Sequence, residues 1–251
     1  MTSSLISSRN APLKATEQNA KASPDFGTKL AETEALLQRA AADFQPLTQA
    51  SSLGAEDVVI THIINRLRLD IPVFVLETGA LHTETLALLE RTQAHSRAPV
   101  KVYRPEQESV VWFIRNEGQD AMYKSILLRK ACCNIRKMEP LGRALQGQRA
   151  WITGLRQEQS TARAEVPLLD TSEEATKGLA KFNPLAQWTW GDVWHYIATN
   201  QVDYNPLHDQ FFPSIGCAPC TRAISLGEEF RAGRWWWEDE AAKECGLHVK
   251  S

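Results

Sequence analysis

Apolar residues recur at helical spacing through 29–44, where Leu30, Leu36, Leu37, Ala40, Ala41 and Phe44 line up between charges. A short strand ending near Ser51 and Ser52 follows. After it come a turn through Gly54 and an amphipathic helix carrying Val58, Ile60, Ile63, Ile64 and Leu67. The unit then repeats, with a β-rich run over 72–76, a turn over 77–80 and a Leu-rich helix over 83–92. Further strands are expected at 100–103 and 151–153. A helix over 188–198 places Trp190, Val193, Trp194 and Ile197 on its apolar side. Strands that alternate with helices in this way predict an α/β fold, a mostly parallel sheet flanked by helices. Ligands of such sheets bind beyond the C-terminal ends of the strands. The turn residues Ser51, Gly54, Asp57, Thr78, Gly79, Arg156 and Ser160 are therefore expected to converge on one crevice.

The flanks lack this periodicity. Residues 1–26, rich in Ser, Ala, Asn and Lys, predict a flexible N-terminal tail ahead of an α/β domain over 27–230. Residues 171–181, charged and small, predict a mobile loop. The stretch from 211 onward is too irregular for another sheet layer, and 231–251 is expected to be a mobile C-terminal tail.

With a formal net charge of -2 over 251 residues, the chain has no global basic field for nucleic acid or an anionic membrane. No apolar run approaches the roughly 20 residues of a membrane helix, and the N-terminus lacks the apolar centre of a secretory signal. The chain is expected to be cytoplasmic, with self-association allowed and an anionic small molecule met by a local cationic pocket.

Five cysteines in a reducing compartment point to metal or thiol chemistry rather than disulfides. Cys132 and Cys133 are adjacent, Cys217 and Cys220 form Cys-x-x-Cys, and Cys245 stands alone. Four thiolates suit one 4Fe-4S cluster. Zinc is the competing metal, although its usual pairs are spaced by two to four residues and the first pair is vicinal. Adjacent helical residues diverge by about 100°, so a helix end or kink must turn one of the two sulfurs. The neighbours Arg129, Lys130, Arg136 and Lys137 argue against an apolar setting for the pair.

Taken in order, Cys-Cys-x-x-Arg-Lys-x-Glu-Pro-Leu from Cys132, Cys-x-x-Cys from Cys217 and Glu-Cys-Gly-Leu-His around Cys245 resemble the assimilatory adenosine 5'-phosphosulfate (APS) reductases, over about 51–248. The resemblance implies a fold like the adenine nucleotide alpha hydrolases, related to ATP pyrophosphatases. It also implies reduction of APS to sulfite and AMP through an S-sulfocysteine on Cys245, with electrons from thioredoxin or a similar dithiol. On the same ground Cys132, Cys133, Cys217 and Cys220 hold the cluster, and Lys137, Arg156, Arg231 and Arg234 belong to the phosphosulfate region.

Ser51, Ser52, Gly54 and Asp57 form a turn at a helix N-terminus, a natural anion cradle. The turn lacks the paired glycines and final serine of ATP pyrophosphatases, which argues against ATP cleavage. Glu77, Thr78 and Gly79 stand where the family commonly has Asp-Thr-Gly. His248 is a further candidate at the substrate, while Arg163 and Arg222 are read as solvated charges. The competing functions are reduction of 3'-phospho-APS (PAPS), ATP-dependent adenylation on the same fold, and a non-enzymatic zinc or iron-sulfur module.

Overall fold

The expected strand-turn-helix units are present in the computed structural model, which describes residues 13–173 and 178–239. In chain order the elements are α1 (Ala15–Asn19), α2 (Phe26–Asp43), β1 (Leu47–Ser51), α3 (Ala55–Arg66), β2 (Val73–Leu76), α4 (Thr83–His95), β3 (Val100–Tyr103) and α5 (Gln107–Glu117). Then follow α6 (Ile126–Cys133), α7 (Glu139–Leu145), β4 (Ala150–Ile152), β5 (Leu169–Asp170), β6 (Ala180–Phe182) and α8 (Trp190–Asn200). The sheet order is β3-β2-β1-β4-β6-β5. Every pairing is parallel except β5 with β6.

The order reverses at β1: the chain runs outward through β2 and β3 on one side, then returns to place β4 on the other. The carboxyl ends of β1 and β4 thus border the switch point at which open α/β sheets bind ligands. Val59, Ile60, Ile63 and Ile64 of α3 pack on the sheet with Val73, Val75 and Ile152, all fully or nearly fully buried. Of the two tryptophans placed on the apolar side, Trp194 is fully buried, while Trp190 is partly buried and packs against the core.

Two expectations are corrected. The N-terminal tail does not extend to residue 26. Ala15 is buried and donates its amide to Asp209 Oδ1 at 2.7 Å, and Ser23 donates its amide to the buried Asp192 at 2.7 Å. These polar anchors replace the apolar pattern whose absence suggested a tail. Nor does the loop expected over 171–181 reach its far end, because Ala180 and Lys181 lie in β6, paired to β4. α5, α6 and α7 were not anticipated; the apolar residues of α5 run consecutively over 110–114 instead of at helical spacing, and Val111, Trp112, Ile126 and Leu127 are exposed.

Candidate active site

The β1-α3 turn is held by its own side chains. Asp57 accepts from Ser52 through both the amide and the hydroxyl at 2.7 Å, while Leu53 takes the left-handed conformation and Ser51 Oγ accepts from its amide. Gly154, just beyond β4, passes so close to this turn that a β-carbon would overlap Asp57 Oδ1 and Glu56 Cβ. Glycine there lets the switch-point edges meet.

Burial, ahead of every other influence, pushes the Asp57 carboxyl up to about 6, although Ser52 and the Gly154 amide favour the ionised form. Since the folded pKa exceeds the unfolded one, the folded state binds more protons between about pH 4 and 6. The Asp57 contribution to stability is therefore present at low pH and is lost as pH rises through 6. In Asp57→Asn this dependence should vanish. Relative to the variant, the parent chain should lose up to about 3 kcal/mol across that window, measured by urea unfolding at pH 4 and pH 7.

Glu56, next along, is buried too. Desolvation opposes its charge, but the Arg156 guanidinium at 2.9 Å and the Gln159 amide at 3.0 Å outweigh it and hold the carboxyl below its usual range. Arg156 also donates to Glu158 and to the Trp188 carbonyl, and it lies over the Trp190 ring at 5.3 Å.

A cavity of about 210 Å³ opens over these turns. Its apolar floor comes from Phe74, Leu76, Leu141 and Trp151, and its polar wall from Ser51, Ser52, Gly54, Asp57 and Thr78. Lys137, Arg163, Arg231 and Arg234 supply cationic groups along the lining. Gly216 sits under Arg234 so tightly that a β-carbon would overlap the guanidinium.

Eight of the expected substrate residues therefore line one cavity: Ser51, Ser52, Gly54, Asp57, Thr78, Lys137, Arg231 and Arg234. Four do not. Glu77 and Gly79 close the turn after β2, with the Gly79 amide donating to Glu77 Oε1 at 2.7 Å, and Arg104 pairs with Glu77 Oε2 at 3.0 Å. Arg156 lies behind the wall, 1 % exposed, fixing Glu56; the sequence placed it in the right loop but at the wrong depth. Ser160 is half-buried, its hydroxyl without a hydrogen bond. Cys245 and His248 lie outside the described residues.

Arg163 is the opposite correction. It is 7 % exposed, donates to Gln159 Oε1 at 2.6 Å and lines the cavity, so it is no solvated charge. Position in the chain gave no signal, because burial of this loop depends on α3 and β4 meeting beneath it. Arg222 is partly exposed and paired with Glu228 at 2.6 Å.

Cys217 lines one end of the cavity, and Cys220 packs beside it. Cys132 and Cys133 are the last two residues of α6, and a π-helical turn, Asn134–Met138, follows them. Cys132 packs with Phe113 and Ala121, so its surroundings are more apolar than its charged neighbours suggested. Cys217 Sγ and the Thr78 hydroxyl lie within hydrogen-bond distance at 3.3 Å, and Cys220 ends the short turn Ala218–Cys220. Burial first, then the Cys217 thiol, push Cys220 up to about 12, against Lys137 and Arg234; Cys132 feels Cys217 and is also raised, mainly by burial. Three thiols thus share one electrostatic neighbourhood with two cavity cations. Among the described residues, no three His, Cys, Asp or Glu side chains converge tightly enough to hold a single metal ion.

The parallel sheet with its switch point at β1 and β4, and a polar turn at a helix N-terminus beneath a cavity, define an α/β protein with the fold of the adenine nucleotide alpha hydrolases. The chain belongs to the family of the phosphoadenosine phosphosulfate reductase domain, whose model matches residues 46–223. It is 50% identical over 221 residues to the adenosine 5'-phosphosulfate reductase of Allochromatium vinosum, covering 88% of this chain and 86% of that one. It is 46% identical to the enzyme of the same name from Burkholderia cepacia, covering 90% of each. Among solved structures, the phosphoadenylyl-sulfate (PAPS) reductase of Candida auris superposes with a TM-score of 0.64 at 26% identity, covering 80% of this chain and 98% of that one. The FMN adenylyltransferase of Candida glabrata, solved with ATP, shares the fold at a TM-score of 0.54 and 11% identity, covering 92% and 81%. No helix among the described residues is long and apolar enough to cross a membrane.

Proposed function

We propose that the chain reduces adenosine 5'-phosphosulfate to sulfite and AMP in sulfate assimilation and cysteine biosynthesis, in the cytoplasm, with thioredoxin or a similar dithiol as donor. The observation that supports the reading is the position of Lys137 and Arg234, which line the cavity with Cys217 and offset the burial of the neighbouring Cys220 thiol. A site built this way suits a phosphosulfate, because cations aligned with developing negative charge stabilise the transition state more than the ground state.

In the proposed chemistry the Cys245 thiolate attacks the sulfur of APS. A sulfur–sulfur bond forms, the bond from sulfur to the bridging phosphate oxygen breaks, and its electron pair leaves on AMP. One thiolate of the donor then attacks Cys245 Sγ and expels sulfite with the electron pair. The second donor thiol resolves the mixed disulfide, so the dithiol ends as a disulfide and Cys245 is regenerated. Lys137, Arg163, Arg231 and Arg234 are assigned to the phosphosulfate, with Ser51, Ser52, Gly54, Asp57 and Thr78 along the nucleotide. Without such cations a thiolate at 4 Å from one substrate charge meets a repulsion of about 4 kcal/mol at an effective dielectric of about 20.

Cys132, Cys133, Cys217 and Cys220 suit a 4Fe-4S cluster better than zinc. Zinc sites usually take pairs spaced by two to four residues, and Cys132 and Cys133 are adjacent. A cubane takes one thiolate at each of its four irons, and these two pairs supply four. When bound, the cluster supplies positioning and an electrostatic field rather than electrons.

The test is anaerobic purification, counts of iron and acid-labile sulfide, and sulfite release from APS and from PAPS with thioredoxin present. About four irons per chain and turnover of APS are expected. Pyrophosphate release from ATP without sulfite production from either substrate would sink the reading.

A further inference from the structure

Arg129 stands on α6 one turn before the vicinal cysteines, with its guanidinium 1 % exposed. Its Nε and Nη2 donate to the two carboxylate oxygens of Glu238 at 3.0 and 2.7 Å, and the Glu238 side chain is 3 % exposed. The ion pair is therefore bidentate and sealed from water. The same guanidinium lies 4.6 Å from the centre of the Trp235 ring and faces the Cys133 thiol.

Trp235 is the other half of the joint. It is 1 % exposed, packs with Cys217 and Cys220, and donates its amide to the Cys220 carbonyl at 3.2 Å. Arg234 lies 4.7 Å and Arg231 6.0 Å from its ring centre. Residues 231–239 are thus packed against both cysteine-bearing segments, which corrects the expectation of a mobile tail starting at 231. Buried contacts with distant α6 hold this stretch, and they leave no periodic trace in its own sequence.

Stability alone does not account for such a pair. Desolvation of two buried charges cancels much of their attraction, and an apolar pair of equal volume would hold the segment as well. What the planar fork adds over apolar packing is a single allowed orientation. We propose that Arg129 is a positioning residue: through Glu238 and Trp235 it locks residues 231–238, and with them the cavity cations Arg231 and Arg234, to the helix carrying Cys132 and Cys133.

The lock rests on the reading of Arg231 and Arg234 as nucleotide ligands, so the test separates the two. Full-length protein purified anaerobically is titrated with AMP by calorimetry, and hydrogen exchange is followed over 231–238. Arg129→Met is expected to weaken AMP binding about tenfold or more. Arg129→Lys, which keeps the charge without the fork, is expected to weaken it severalfold, and it decides the matter if the Met variant fails to fold. In both variants exchange over 231–238 speeds up while exchange over β1 and β2 does not. A purely structural role would lower the fraction of protein that binds and leave the Kd of the remainder unchanged, which would overturn the lock. Parental binding with unchanged exchange in the variants would overturn it too. Failure of the parent chain to bind AMP would overturn the reading of the cavity on which the lock rests.

Discussion

Cys245→Ser is expected to lower sulfite release from adenosine 5'-phosphosulfate by about 10⁴-fold or more, the scale seen when a covalent nucleophile is removed, while AMP binds as before. The reason lies in ionisation and in bonding. A cysteine of pKa about 8.5 is already a few per cent thiolate at neutral pH, and a cationic neighbourhood enlarges that fraction. A serine hydroxyl stays protonated, and its oxygen cannot form the sulfur–sulfur bond whose reduction by a dithiol yields sulfite. AMP binding is preserved because the cavity lining comes from β1, β2, β4 and the segments around Cys217 and Arg234. Sulfite is measured by a thiol-coupled assay and AMP affinity by calorimetry. Undiminished sulfite release would remove Cys245 from the chemistry, and with it the proposed intermediate.

Cys217→Ser should have the second largest effect: iron falls from about four per chain to below one, and sulfite release drops by about 100-fold or more. Serine offers a harder oxygen ligand, and iron-sulfur centres select soft thiolates. The change also removes the sulfur that the Thr78 hydroxyl meets at 3.3 Å. The fold should survive, because Cys217 packs with Met122, Cys220 and Trp235 in a cluster separate from the core of α3, α8 and the sheet. Circular dichroism and a thermal melt check that survival. Full activity without iron, or stoichiometric zinc in the parent chain, would contradict the cluster assignment.

The two substitutions probe different levels of legibility. The cysteine spacing and the flanking Arg136-Lys137 and Glu-Cys-Gly-Leu-His strings are local in the chain, and they pointed to thiol chemistry before any fold was known. The turn at Ser51, Ser52, Gly54 and Asp57 was legible for the same reason: its hydrogen bonds run between residues at most five apart. β2 was equally clear, since a buried parallel strand concentrates β-branched and apolar residues, as Val73–Leu76 does.

Other features escaped the sequence because partners distant in the chain create them. Arg156 and Arg163 are seven residues apart in one loop and look alike, yet one is walled in by Glu56 and Trp188 while the other lines the cavity. Residues 15–23 look like a tail until Asp192 and Asp209 are brought to them from the far end of the chain. Residues 231–239 look irregular until Arg129 receives Glu238 from 109 positions away.

The sequence by itself determined the α/β alternation, the location of the turn from Ser51 to Asp57 and the pairing of the cysteines along the chain, since each is written in periodicity or spacing over a few residues. Tertiary structure alone decided which cations reach the cavity and which acids neutralise the others. It also decided how residues 231–239 are held, because burial and charge pairing depend on which surfaces the sheet and its helices bring together.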